Sequence, residues 1–166
     1  MPKTESFDIT TGVDLQEVDN AINQARREIT TRFDFKNVVA EIEYDRKAPK
    51  LLLHTADEYK LEAIWQVLSQ RFVARSVPLQ NLKRGEIEDA ARGTVRQEIA
   101  ITQSIDSDTA RKLVKFIKDG GYKKVQSAIH GDEVRVSAPD RDQLQAVIRD
   151  LKAEDWGMEL NFGNYR

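Results

Sequence analysis

The chain contains no cysteine. That excludes disulfides, zinc–thiolate centres and cysteine nucleophiles. Glycine (8) and proline (4) are scarce, so collagen-like and low-complexity architectures are excluded as well. Aromatic residues make up only 7% of the 166 positions, which leaves few rings for stacking against bases. Neither sign of charge prevails. Residues 1–93 carry 14 Lys+Arg against 16 Asp+Glu, and residues 94–166 carry 12 against 12, for a net charge of −2. Near-neutral halves argue against tight, non-specific binding to nucleic acid. No apolar run approaches the about 18 residues of a membrane span. The opening Met1-Pro2-Lys3-Thr4-Glu5 has no apolar signal core, so the expected compartment is the cytoplasm.

What is present is a globular composition, 40% hydrophobic and 33% charged, arranged as a pattern that occurs twice. Phe7 and Ile9 alternate with polar neighbours as in a half-buried strand. Asp14 and Glu17 form a capping-box pattern ahead of a helical stripe of Leu15, Val18, Ile22, Ala25 and Ile29. Val38 to Tyr44 and Lys50 to His54 read as strands. Thr55 and Glu58 suggest a second capping box, before a stripe of Leu61, Ile64, Trp65, Leu68 and Phe72. Val73 to Val77 is the expected closing strand. Gln80 to Gly93 is polar and non-periodic, and reads as a linker with a short helical turn near Glu86–Ala91.

The second copy opens with Val95, Gln97, Ile99 and Ile101. Asp106 caps a helix with Ala110, Leu113, Val114 and Ile117 inward, and Gly120-Gly121 suits a left-handed stop. Two strands, Val125 to Ile129 and Glu133 to Ser137, flank a tight Gly131-Asp132 turn. Pro139 and Asp140 start a helix carrying Leu144, Val147, Ile148 and Leu151. Met158, Leu160 and Phe162 close the sheet.

The fold class is therefore α+β: two tandem βαββαβ, ferredoxin-like modules with antiparallel sheets and helices on one face. The expected domains are residues 1–90, with 80–93 as the linker region, and residues 94–166. Exchange of a terminal strand or helix between two such similar modules stays open.

Catalytic motifs are missing. There is no phosphate-binding Gly-x-x-x-x-Gly-Lys-[Ser/Thr] loop, no Gly-x-Gly-x-x-Gly and no His-Glu-x-x-His. Asp106-Ser107-Asp108 lacks the further ligands of a calcium loop and fits a helix cap instead. The expectation is a protein with no catalytic residues, no metal and no cofactor.

Binding has more support. With the apolar residues facing the helices, the open face of the second module would carry Arg96, Glu98, Lys124, Gln126, His130, Glu133, Arg135, Glu159 and Asn161. The first would show Asp8, Thr10, Glu41, Glu43, Leu52 and His54. No ring lies on either face, so base stacking there is not expected. The most cationic stretch holds Lys112, Lys115, Lys118 and Lys124, either a solvated helix face or a phosphate-holding patch. Arg135 and Arg141 form a second candidate near a helix start, where Asp140 and Asp142 already complement the helix dipole. Phe33 and Phe35, set between Arg32, Asp34 and Lys36, suit either a base contact or a core plug.

Longer stretches carry a resemblance. Ser6-Phe7-Asp8-Ile9, Val13 to Val18 and Arg32-Phe33-Asp34-Phe35-Lys36-Asn37 in the first half resemble the YajQ family. So do Ile117-Lys118-Asp119, Lys124-Val125-Gln126, Gly131 to Ser137 and Arg141-Asp142-Gln143-Leu144-Gln145 in the second. The resemblance implies a small bacterial cytoplasmic protein with two RNP-like domains that binds a purine nucleotide or cyclic di-GMP and catalyses nothing. It also implies RNA or a transcription regulator as partner. Ala138-Pro139-Asp140 departs from the glycine and lysines of relatives, and so removes positive charge beside Arg141. Gln103-Ser104 departs as well, where relatives often place a glycine after the glutamine. An RNA- or DNA-binding module and a protein-interaction adaptor are the alternative functions.

Overall fold

A computed structural model describes residues 4–166; Met1, Pro2 and Lys3, part of the segment lacking a signal core, lie outside the described residues. The elements run β1 (Glu5–Thr10), α1 (Leu15–Thr31), β2 (Ala40–Asp45), β3 (Lys50–Thr55), α2 (Glu58–Ala74) and β4 (Leu82–Asp89). They continue with β5 (Val95–Ile101), α3 (Ser107–Asp119), β6 (Gln126–His130), β7 (Glu133–Ala138), α4 (Arg141–Lys152) and β8 (Asn161–Gly163). All strand pairs are antiparallel and form two four-stranded sheets. The fold is the α+β, ferredoxin-like class expected. No helix among the described residues is long and apolar enough to cross a membrane.

The strands are exchanged. One sheet has the order β6-β7-β1-β8 and the other β2-β3-β5-β4. Each opening strand thus serves as a central strand of the opposite copy. The compact units are Val13–Thr102 on one hand, and the strand ending at Gly12 with Gln103–Arg166 on the other. The sequential division at residues 1–90 and 94–166 is corrected accordingly. The physical reason is that β1 and β5 present the same period-2 apolar face, so either sheet can bury either strand.

In the Val13–Thr102 unit, α1 sets Val18, Ile22 and Ile29 against Leu51 and Leu53 of β3 and Ile99 of β5; α2 adds Leu61, Ile64, Leu68 and Phe72. In the other unit, Phe7 and Ile9 of β1 and Val134 and Val136 of β7 meet Leu113 and Ile117 of α3 and Leu144, Val147 and Leu151 of α4. Each such fully buried side chain contributes about 1.5–3 kcal/mol of transfer free energy.

Several local expectations change. Val73 to Val77 is not a strand: α2 continues to Ala74, and Ser76 turns the chain at φ 59. The closing strand is β4, inside the stretch read as a linker. Its pattern is hidden because it is an edge strand with a register shift between Arg84 and Ile87. A bulge of this kind breaks the alternation by which strands are recognised. The two capping boxes do not form. Asp14 caps α1 by accepting from Gln16 N, but Glu17 pairs with Arg75 across to α2. Asp57, not Thr55, caps α2; the Thr55 hydroxyl donates to Val39 O. The face assignments shift with the exchange. Asp8 and Thr10 share a sheet with Arg135, whereas Arg96 and Glu98 share one with Glu41 and His54. By register, neither open face carries Phe, Tyr or Trp among the described residues.

Candidate functional site

Helix α3 is strongly amphipathic. Its buried stripe of Ala110, Leu113 and Ile117 forces Arg111, Lys112, Lys115 and Lys118 outward. Asp106 anchors the helix start, with its carboxylate accepting from Thr109 N at 3.1 Å and Thr109 Oγ1 at 2.6 Å. Those bonds hold the Asp106 pKa below its ordinary value. The helix ends at Gly120, and Gly121 follows at φ 72, the left-handed stop anticipated from the glycine pair.

Two shallow hollows flank α3. The first, about 470 Å³, is lined by Lys112, Lys115, Phe116, Asp119, Gly120 and Trp156. Phe116 and Trp156 meet edge to face, with centroids 5.3 Å apart and planes at 89°. Trp156 Nε1 is already satisfied by Leu151 O at 2.9 Å, so its indole is held without a ligand. A Cβ at Gly120 would collide with the ring of Tyr122, so glycine is what lets this turn pack. Tyr122 donates to Asp150 Oδ2 at 2.5 Å. Burial, reinforced by that carboxylate, pushes the Tyr122 hydroxyl up to about 12. The second hollow, about 400 Å³, is lined by Arg111, Val114, Lys115, Lys118, Asp119 and Ile129.

The decisive electrostatic feature is what the lysines lack. Among the described residues, Lys112, Lys115, Lys118 and Lys124 form no ion pair, whereas Arg111 is paired with Asp108. Three unpaired ammonium groups on the outer side of one helix leave a positive potential that Asp108 and Asp119 of the same helix dilute.

The remaining expected site residues are dispersed. Lys124 sits in the turn before β6 at φ 56. Arg135 projects from the open sheet face, away from α3, and donates to buried Asp8 at 2.9 Å. That bond, with a further contribution from Asn164, holds Asp8 below the ordinary carboxylate range against its burial. Arg141 pairs with Glu5 at 3.1 Å beside a separate groove of about 450 Å³ that includes Tyr165 and Arg166. Phe33 and Phe35 belong to the other unit. Phe35 is 6% exposed and plugs the core, with Arg32 and Lys60 at 5.5 and 5.2 Å from its ring centroid; Phe33 is 89% exposed. Phe116 escaped the sequence reading because it sits at the margin of the α3 stripe and looks like core. Its helical distance from the lysines is short, but Trp156 arrives only through the fold. Among the described residues, no three His, Cys, Asp or Glu side chains cluster to hold a metal ion.

Comparison with known proteins agrees along the chain. A family model described as "Nucleotide-binding protein YajQ-like" matches residues 5–166. A nucleotide-binding protein of Koribacter versatilis is 49% identical over 161 residues, 97% of this chain and 96% of the relative. One from Desulforamulus reducens is 43% identical over 166 residues, covering 100% and 99% respectively. Another, from Chloroherpeton thalassium, is 38% identical with both chains covered in full.

Proposed function

The chain belongs to the YajQ-like nucleotide-binding family, and from that premise we propose that it binds a purine nucleotide, mono- or cyclic di-nucleotide, on the outer face of α3 and releases it unchanged. The observation that carries this reading is the pairing of two unneutralised lysines, Lys112 and Lys115, with the Phe116–Trp156 edge in one hollow. The ring pair offers an apolar platform for a base. The ammonium groups meet phosphate as point charges. Asp119 is the carboxylate in the hollow's lining, with no histidine or hydroxyl nucleophile beside it there, and binding without turnover is the chemistry we assign to these groups. Such a ligand is cytoplasmic, and cyclic di-GMP, with two phosphates and two purines, makes a signalling role part of the proposal.

Calorimetric titration with ATP, GTP and cyclic di-GMP tests it. Lys112→Ala/Lys115→Ala should weaken the productive ligand by about tenfold or more, since a hydrogen bond to a charged group is worth about 1.5–3 kcal/mol before solvent screening. Trp156 fluorescence should change on binding, and Trp156→Phe should abolish that signal. Absence of heat with all three ligands, or unchanged affinity in the double variant, overturns the proposal. An RNA-binding mode is less well supported, because both open sheet faces lack stacking rings. It would require affinity that falls steeply with salt.

A further inference from the structure

The four edges of the two sheets are not equally guarded. Unpaired strand edges invite another strand, and proteins blunt them with charge, bulges, shortness or plugs. At the β2 edge, Arg26 of α1 reaches over and donates through Nε to Ile42 O at 3.2 Å. The β4 edge is broken by the register shift between Arg84 and Ile87 and carries Lys83, Glu86, Glu88 and Asp89. The β8 edge is three residues long. β6 has none of these devices. Its five residues, Gln126-Ser127-Ala128-Ile129-His130, include no Asp, Glu, Lys, Arg or Pro.

The hairpin register shows which groups are open. β6 and β7 are joined by a two-residue turn in which Gly131 holds φ 63, and His130 faces Glu133. From that closing pair, every second residue of β6 turns its N–H and C=O away from β7, which selects Ile129 and Ser127. Among the described residues, these outward groups have no hydrogen-bond partner. The side chain of Ile129, opposite inward-facing Val134, is on the helix side yet 46% exposed. It forms the apolar floor of the second hollow with Val114, under Arg111, Lys115 and Lys118.

The geometry points to β6 as a docking edge for an extended, acidic segment of another protein, added as a fifth strand of this sheet. Its backbone would complete the ladder at Ser127 and Ile129. Every second side chain would face α3: an apolar one over Ile129 and Val114, and carboxylates on either side of it toward Lys115 and Lys118. A second copy of this chain fits poorly. Antiparallel pairing of two β6 edges would bring both rows of unpaired lysines to one seam, and like charges repel. The inference does not depend on nucleotide binding.

The probe is a capped nine-residue peptide, Glu-Thr-Glu-Thr-Val-Thr-Glu-Thr-Glu, with a control in which lysine replaces every glutamate. It is titrated into the ¹⁵N-labelled full chain without nucleotide. The acidic peptide should shift the amides of Ser127 and Ile129 and slow their hydrogen exchange, while the basic one should not. Arg111→Ala/Lys118→Ala, both exposed positions, should weaken the acidic peptide by about tenfold. Four outcomes overturn the inference: no shift at millimolar peptide, equal binding of both peptides, shifts at residues 40–45 instead, or a peptide-free dimer in sedimentation that protects β6.

Discussion

The two units share a fold but place their unpaired cations differently. In the Val13–Thr102 unit, ion pairs lie on the open sheet face and between the helices. The cations outside any ion pair among the described residues, such as Arg27, Lys36, Arg46, Lys47 and Arg92, are scattered over α1 and the connecting turns. Lys50 meets Glu98 at 3.2 Å and Arg96 meets Glu88 at 3.1 Å on the open face. Arg71 with Glu28 and Arg75 with Glu17 do the same between its helices. In the unit built from β1 and Gln103–Arg166, Arg135 and Arg141 are tied down, but the lysines of α3 are left unpaired. Net charge hides this contrast, because Val13–Thr102 carries 14 Lys+Arg against 15 Asp+Glu and the rest of the chain 12 against 13. Charge that is locally satisfied serves solubility and register. Charge left unsatisfied beside an apolar hollow is available to a partner, and that difference is what singles out α3.

The strand exchange makes the comparison breakable. Phe7 is fully buried and packs edge to face against Phe162 at 5.9 Å, although 155 residues separate them. Phe7→Ala should cost about 3–5 kcal/mol. Hydrogen exchange should report the loss of protection in residues 103–166 and not in 13–102. Ile99→Ala should do the reverse, at about 2–5 kcal/mol. If each substitution instead loosens its own half of the sequence, the exchange is wrong.

Asp8 sharpens the contrast at the open faces. Its carboxylate is held by Arg135 at 2.9 Å and by Asn164 Nδ2 at 2.5 Å. Asp8→Ala should cost on the order of 2 kcal/mol, measured by urea denaturation, because a buried charge-assisted network is broken. The pH dependence follows from the direction of the shift. The folded-state pKa is lowered from the ordinary 3.8, so the stabilisation is present above that value and is lost as pH falls through the folded one. Wild type should therefore lose stability below about pH 4 faster than Asp8→Asn does.

The smallest effect is expected where charges are exposed and paired. Removing Lys50, Glu98 or both in a double-mutant cycle should yield a coupling of about 0.5 kcal/mol or less, vanishing at high salt. A coupling several times larger would mean that the paired face is structural in a stronger sense than its exposure suggests.

Much of the architecture is legible in the sequence. The helices at Leu15, Ser107 and Arg141 start behind Asp14, Asp106 and Asp140, because a short acidic side chain reaches the free amides there. The alternation in Val95–Ile101 marked a strand with one buried face. The candidate site was only half legible. Clustered lysines on α3 were visible as a pattern, but their freedom from ion pairs was not. Glu17 and Glu58 show why: each fits a capping motif locally, yet Glu17 is claimed by Arg75, 58 positions away. The edge strand β4 was missed because its bulge and its solvent face erased the period on which recognition depends.

The sequence by itself determined the kinds of element and their order, since backbone geometry and capping are decided within a few residues. Only the tertiary structure decided which sheet receives β1 and which receives β5, which cations keep their charge free, and that Trp156 meets Phe116 beside Lys112 and Lys115. The physical reason is range. Hydrophobic period is a local property shared by both copies, whereas strand partnership and charge pairing are set by which surfaces come together across the chain.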